Sequence, residues 1–202
     1  MSGTSEAELW QLMRSLGISS SFLGTFDCSF PGFIKADRKQ TAIINTGSRQ
    51  SGGMHWIAMA WEPRGKVLYL FDPLGWKDRD LMRYYGFSYK AMVARSALST
   101  PSHCVTLEKN TQAVQCTCSG ACGLFCVVFL YCFNVCPTAP ATVKVLEAME
   151  GTASALRPAD PAKLHWNQKV MYKFLSANSS YFRKHQRTLV YNTRLGLIKT
   201  HS

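Results

Sequence analysis

His55, Asp72 and Cys122 are the side-chain types of a thiol protease: a base, a carboxylate that fixes the imidazole tautomer, and a nucleophile. In such a site the imidazole takes the thiol proton, the thiolate attacks a carbonyl carbon, and N–H donors hold the developing oxyanion. Cys122 follows Ser119-Gly120-Ala121 and opens an almost wholly apolar run that stops at Pro137. A thiol in the first turn of a helix faces unpaired N–H groups and the positive end of the helix dipole, and both favour thiolate. Gln115 lies seven residues upstream, close enough to lend a side-chain N–H to an oxyanion beside the Cys122 backbone N–H. Free cysteine is also among the most buried residue types, so an inert core thiol and a nucleophile both stay open on the residues alone.

A hairpin must bring the base and the carboxylate together. The stretch 52–61 and the stretch 67–73 are apolar strands joined by Glu62-Pro63-Arg64-Gly65-Lys66. A turn centred near Arg64 sets His55 opposite Asp72, or one residue off. Side chains opposed on one face have Cβ atoms roughly 4.5–5.5 Å apart. A one-residue slip would put them on opposite faces.

The other elements are less directly tied to the chemistry. Ser5-Glu6-Ala7-Glu8 reads as a capping box ahead of Leu9, Leu12, Met13 and Leu16 at helical spacing, with Gly17 closing the helix. Residues 18–40 read as irregular chain around one short extended piece, and 41–45 as a buried strand. Helices are expected over 78–85, 88–99, 163–175 and 180–195, a modest helical pattern over 143–149, and a strand over 104–108.

Eight cysteines without a basic start and apolar run of the signal-peptide kind predict free thiols, metal ligands or catalysis rather than a disulfide framework. Structural zinc sites present C-x₂₋₄-C pairs on turns, well separated. Cys122/Cys126 and Cys132/Cys136 instead repeat at i,i+4 inside an apolar helix and face different directions, which suits packing better than zinc. No metal is expected, and Cys116-Thr117-Cys118 is left unexplained. The apolar run from Cys122 is shorter than the 18–20 or so residues of a membrane span, so no membrane partner is expected.

At 202 residues, 47% of them hydrophobic, the chain is expected to form one domain over 1–202, with room for two lobes and a basic helical part from about residue 138. It carries 23 basic against 12 acidic residues, a net charge of +11, which points to a polyanionic partner. Lys163, Lys169, Lys173, Arg183, Lys184, Arg187, Arg194 and Lys199 occupy the last 40 residues without an Asp or Glu. With no helix-turn-helix or zinc-finger pattern, binding to double-stranded DNA is expected to be sequence-tolerant.

The chain resembles the adenovirus maturation proteases over roughly residues 5–135. The resemblance rests on Phe-Leu-Gly-Thr-Phe-Asp with Phe-Pro-Gly-Phe (22–33), Gly-Gly-Met-His-Trp (52–56), Phe-Asp-Pro-Leu-Gly (71–75), Cys-Val-Thr-Leu-Glu-Lys (104–109), and Gln115 with Ala-Cys-Gly-Leu-Phe-Cys (121–126). It implies an α+β fold, a mixed and mainly antiparallel sheet packed between helices, with papain-like site geometry in the chain order His–Asp–Gln–Cys. It implies catalytic His55, Asp72 and Cys122, with Gln115 in the oxyanion hole. Many members carry Glu where this chain has Asp72, so the shorter carboxylate requires a closer strand end.

The resemblance further implies cleavage of viral capsid and core precursor proteins at Gly-containing sites during virion maturation, by a monomer working in the virion interior and the host nucleus. It implies two activators: DNA, and a short viral peptide cut from a capsid precursor and disulfide-linked to Cys104. A peptide adding along a sheet edge would gain main-chain hydrogen bonds there. The alternatives kept open are a deconjugase of ubiquitin-like tails and a non-enzymatic, basic DNA-binding structural protein whose cysteines bind zinc or pack.

Overall fold

The computed structural model describes residues 3–99, 104–136 and 147–196. A five-stranded mixed sheet organises it, in the order β1 (Phe22–Phe26), β2 (Gln40–Asn45), β3 (Trp56–Glu62), β4 (Val67–Phe71), β5 (Thr106–Lys109). The central pairings β2–β3 and β3–β4 are antiparallel, and each edge strand joins its neighbour in parallel. A small antiparallel ribbon pairs β6 (Gln112–Ala113) with β7 (Thr152–Ala153). With that ribbon included, antiparallel pairs outnumber parallel ones, and the fold is α+β.

The central strands are continuously apolar because both faces of the sheet are covered. Trp56, Ala58 and Ala60 of β3, with Tyr69 and Phe71 of β4, pack with α1 (Glu6–Ser15), α4 (Cys122–Val135), α5 (Pro161–Asn178) and α6 (Ser180–Thr193). Ile57, Met59 and Trp61, with Leu68 and Leu70, pack with α2 (Asp78–Tyr85), α3 (Tyr89–Ala94) and the loop bearing Phe30 and Phe33. The helix α4 is buried almost all round, which is why its sequence lacks a polar stripe. Phe129 of α4 stacks on Phe71 of β4 with centroids 4.7 Å apart and planes 6° from parallel. Such a pair adds about 0.5–1.5 kcal/mol beyond its buried area.

The capping box forms as expected: Ser5 Oγ accepts from the Glu8 N–H, and Glu8 Oε2 accepts from the Ser5 N–H at 2.7 Å. The helix expected over 88–99 is shorter, Tyr89–Ala94. Beyond it the chain turns to bind the 30–33 loop: Ser96 Oγ accepts from the Phe33 N–H, and the Ala97 N–H donates to the Phe33 carbonyl. The strand expected over 104–108 starts two residues later, at Thr106. Most of the pattern over 143–149 lies outside the described residues, as does Lys199. Among the described residues, no helix is long and apolar enough to cross a membrane.

Candidate active site

His55 is delivered by the loop between β2 and β3. Asn45 Oδ1 accepts from the N–H groups of Gly47 and Met54, and the Thr46 N–H donates to the His55 carbonyl at 2.8 Å. Asp72 follows β4 and is locked by its own turn, Asp72-Pro73-Leu74-Gly75-Trp76. Its Oδ1 accepts from the Leu74 N–H at 2.9 Å and its Oδ2 from the Trp76 N–H at 3.0 Å. Gly75 closes that turn at φ +63°, where an added Cβ would lie 2.4 Å from the Gln112 carbonyl carbon, so only glycine fits.

The hairpin register corrects the expected pairing. Ala58 faces Phe71, so His55 lies two positions from direct opposition to Asp72. All four residues 63–66 are spent in the turn, with Lys66 at φ 52°, which moves its centre past Arg64. A two-residue shift keeps both side chains on one face as diagonal neighbours. His55 Nε2 lies 2.7 Å from Asp72 Oδ1, with both groups buried.

Cys122 opens α4 after Ala121, which provides no side-chain cap. The Trp56 N–H donates to Cys122 Sγ at 3.4 Å, and one turn later Cys126 Sγ donates to the Trp56 carbonyl, also at 3.4 Å. The two sulfurs therefore clamp the Trp56 backbone, next to His55, onto the helix start. Gly123 allows this approach: a Cβ there would meet Leu9, Thr4 and Trp56 at 3.1–3.2 Å. With Nε2 committed to Asp72, Nδ1 is the His55 nitrogen left to serve the thiol.

The electrostatics make an ion pair. Burial alone would lower the His55 pKa, but the Asp72 charge and hydrogen bond, aided by Cys122, raise it to about 10. Burial alone would raise the Cys122 thiol, but the hydrogen bond and charge of His55, with the Trp56 and Gly123 N–H groups, bring it below the ordinary thiol range. Burial likewise pushes Asp72 up and the His55 charge overrides it, so the carboxylate stays ionised. Cys126 has no such partner charge, and burial drives it well above the usual range. The two neighbouring thiols are thereby divided into thiolate and thiol.

Gln115 is buried in the loop that leads to α4, its backbone N–H donating to the Pro73 carbonyl at 3.1 Å. Its side-chain amide points back along that loop, donating to the Ser119 carbonyl at 2.9 Å, while Oε1 has no protein partner among the described residues. The structure thus joins His55, Asp72 and Cys122 directly and holds Gln115 in the adjoining loop. Cys104 is exposed, two residues before edge strand β5, away from this cluster in the chain.

Four neighbours of the site have no signal in the sequence that ties them to it. Tyr85, at the end of α2, stacks over His55 at 5.5 Å and 18°, and Trp76 stacks on Tyr85 at 5.4 Å and 17°. Burial, with the Cys122 and Asp72 charges, pushes the Tyr85 phenol upward, so it stays neutral. Asn110 brackets the Asp72 backbone: its Oδ1 accepts from the Asp72 N–H at 2.9 Å and its Nδ2 donates to the Asp72 carbonyl at 2.6 Å. Lys109 adds a positive charge near Asp72, its Nζ donating to the Asn110 carbonyl at 2.8 Å. The aromatic residues of α2 and the polar Lys109-Asn110 pair at the end of β5 are visible in the chain, but neither pattern says which of them reaches His55 or Asp72.

One expectation about the cysteines changes: Cys116 and Cys118 form a disulfide. With His165 they place donor atoms within 4.8 Å of one another, but bonded sulfurs have no thiolate to offer a cation.

A profile of the adenovirus endoproteases matches residues 22–197. The chain is 58% identical to the protease of snake adenovirus serotype 1 and 53% identical to that of bovine adenovirus 4, in both cases over the full length of each chain. It is 45% identical to the protease of human adenovirus B serotype 3 over 91% of this chain and 90% of the relative. The similarity therefore extends well past residue 135, through the basic C-terminal helices.

Proposed function

The chain belongs to the adenovirus endoprotease family, a family of cysteine-type proteases, and from that premise we propose that Cys122, His55 and Asp72 are its catalytic triad. The observation that carries the assignment is the buried contact of His55 Nε2 with Asp72 Oδ1 at 2.7 Å, beside a thiol lowered by that same imidazole. The His55–Cys122 ion pair is the resting state. The thiolate attacks the scissile carbonyl, the Cys122 and Gly123 end of α4 supports the oxyanion, and Gln115 turns one amide hydrogen from Ser119 toward it. His55 then protonates the leaving amine, and water releases the acyl group.

The substrates are viral capsid and core precursors, cut beside glycine during virion maturation in the virion interior and the host nucleus. Wild type and Cys122→Ala are compared on Gly-containing peptides, with iodoacetamide labelling at neutral pH. Selective labelling of Cys122 and loss of cleavage in the variant are expected; cleavage by Cys122→Ala would remove Cys122 from the mechanism. The non-enzymatic alternative is set aside by family membership.

Activation has two supports. The outer edge of β5 carries no strand among the described residues, and exposed Cys104 stands at its start, so a viral peptide can add a strand and be tethered there by a disulfide. Cys104→Ser should keep basal activity and lose most of the stimulation by the peptide. For DNA, Lys163, Lys169, Lys173, Arg183, Lys184, Arg187 and Arg194 are all exposed along α5, α6 and the residue that follows. Lys163 is set apart, since Glu150 lies 2.9 Å from its Nζ. The α6 residues form the basic surface that sequence-independent duplex binding needs, acting in a monomer.

A further inference from the structure

We propose that Cys116 and Cys118 form a reversible thiol–disulfide site, served by His165, whose oxidation state is transmitted to the loop between Gln115 and Cys122. The loop is short, and the disulfide lies within it. Gln115 immediately precedes Cys116, and Cys122 follows Cys118 by four residues.

The loop is also where three parts of the chain meet. The Cys116 carbonyl accepts from the Ser119 N–H at 3.1 Å, and Ser119 in turn bridges to Leu195. The Cys118 carbonyl accepts from the Gly196 N–H at 2.9 Å, and Thr117 Oγ1 donates to the Leu156 carbonyl at 2.8 Å. Cys116 and Cys118 pack with Leu164 of α5 and Leu195 beyond α6. Breaking the sulfur–sulfur bond releases a cross-link inside a segment whose backbone holds both the end of α6 and the start of α4.

The two sulfurs are not equivalent. Cys116 is buried at 3% exposure, whereas Cys118 is half-buried and has His165 Nε2 3.5 Å from its Sγ. An imidazole can take up a thiol proton near neutral pH and can stabilise a thiolate. Cys118 is therefore the sulfur that exchanges with solution, and Cys116 is the resolving partner.

In the oxidising direction, Cys118 gives its proton to His165 and attacks a small-molecule disulfide such as oxidised glutathione. One glutathione leaves as thiolate and a mixed disulfide remains on Cys118. Cys116 loses its proton and attacks Cys118 Sγ, expelling the second glutathione. Two protein thiols are oxidised and one disulfide is reduced to two thiols, which carry off the two protons. Reduction is the reverse, with two glutathione thiols consumed.

The exchange does not depend on Cys122 being the protease nucleophile, so its failure and a failure of the protease reading are separable: the first shows in thiol trapping, the second in peptide cleavage. The test equilibrates the full chain in glutathione buffers of graded ratio, quenches by rapid alkylation, and measures the oxidised fraction of the 115–121 segment by mass spectrometry. The expected result is a reversible two-electron titration, with the Cys116–Cys118 equilibrium changing tenfold per about 30 mV. His165→Ala should slow exchange by about tenfold or more while the chain stays folded by circular dichroism. Iodoacetamide should alkylate Cys122 at rates differing about threefold or more between the two states, and at one rate in a Cys116→Ser/Cys118→Ser variant.

A disulfide that native protein never exchanges would overturn the proposal, as would wild-type exchange rates in His165→Ala. Equal Cys122 rates in both states would overturn the coupling to the loop. A stoichiometric zinc ion retained by the dithiol would reassign the three residues to a metal site.

Discussion

Tyr85 lays its ring over His55, centroid to centroid 5.5 Å and 18° from parallel, and is itself backed by Trp76 at 5.4 Å. The stack covers one face of the imidazole while Nε2 rests on Asp72 at 2.7 Å. The phenol oxygen has no part in that stacking. Tyr85→Phe should therefore stay within about twofold of wild-type kcat/KM, while Tyr85→Ala should lose about tenfold or more by loosening the base. Steady-state cleavage of one peptide by the three proteins checks this; an active Ala variant would reduce Tyr85 to packing.

The Cys122–His55 pair defines a pH window whose ends move in known directions. The thiol ionises below the ordinary thiol range, and the imidazolium persists to about 10. Activity and Cys122 alkylation should thus rise at lower pH than for an ordinary thiol, and activity should decline as His55 loses its proton near 10. Asp72→Asn removes the charge that raises His55 and leaves the burial that lowers it. The alkaline limb should then move down and kcat/KM should fall by about 10²–10⁴, measured as a pH–rate profile. An unmoved alkaline limb would show that Asp72 does not set the His55 proton affinity.

Asn110 ties the end of β5 to Asp72 by bonding both of its backbone groups. Asn110→Ala strands those groups in a largely buried position. Thermal or urea unfolding should show about 1–3 kcal/mol less stability, with a drop in kcat larger than the change in KM. Because β5 is an edge strand among the described residues, the same variant should also respond less to the proposed activating peptide.

Arg183 and Arg187 stand exposed on α6, while Phe182 and Leu189 of that helix face the core. Charge reversal at the two arginines should weaken binding to random duplex, and at Arg183 it should also lower the melting temperature by removing the bonds its Nη1 donates to the Ser176 and Ala177 carbonyls at the end of α5. The log–log salt slope should become shallower by about 0.9 for each phosphate that the variant no longer neutralises. Fluorescence titration at several salt concentrations measures both quantities, and an unchanged slope would move the DNA surface elsewhere.

The chemistry is legible in the linear chain because local rules govern its parts. Helix-start geometry singles out Cys122 among its apolar neighbours. The two-residue period of strands puts His55 and Asp72 on one face, even though the turn shifts their register from direct opposition to a diagonal. The capping box at Ser5–Glu8, and the α2 range of Asp78–Tyr85, depend on residues a few positions apart and are readable for that reason.

What the chain alone could not supply are contacts across distance. That Cys126 would hold the Trp56 carbonyl, that Tyr85 would cover His55, and that Asn110 would clamp Asp72 follow from how α4, α2 and β5 pack on the sheet. The pKa ordering is likewise tertiary: the same burial that silences Cys126 is overridden at Cys122 by an imidazolium from another part of the chain. His165 comes to Cys118 from 47 residues away because α5 packs beside the loop that leads to Cys122. Residue type and spacing determined which groups could react; the folded interior, by excluding water and fixing neighbours, decided which of them are charged.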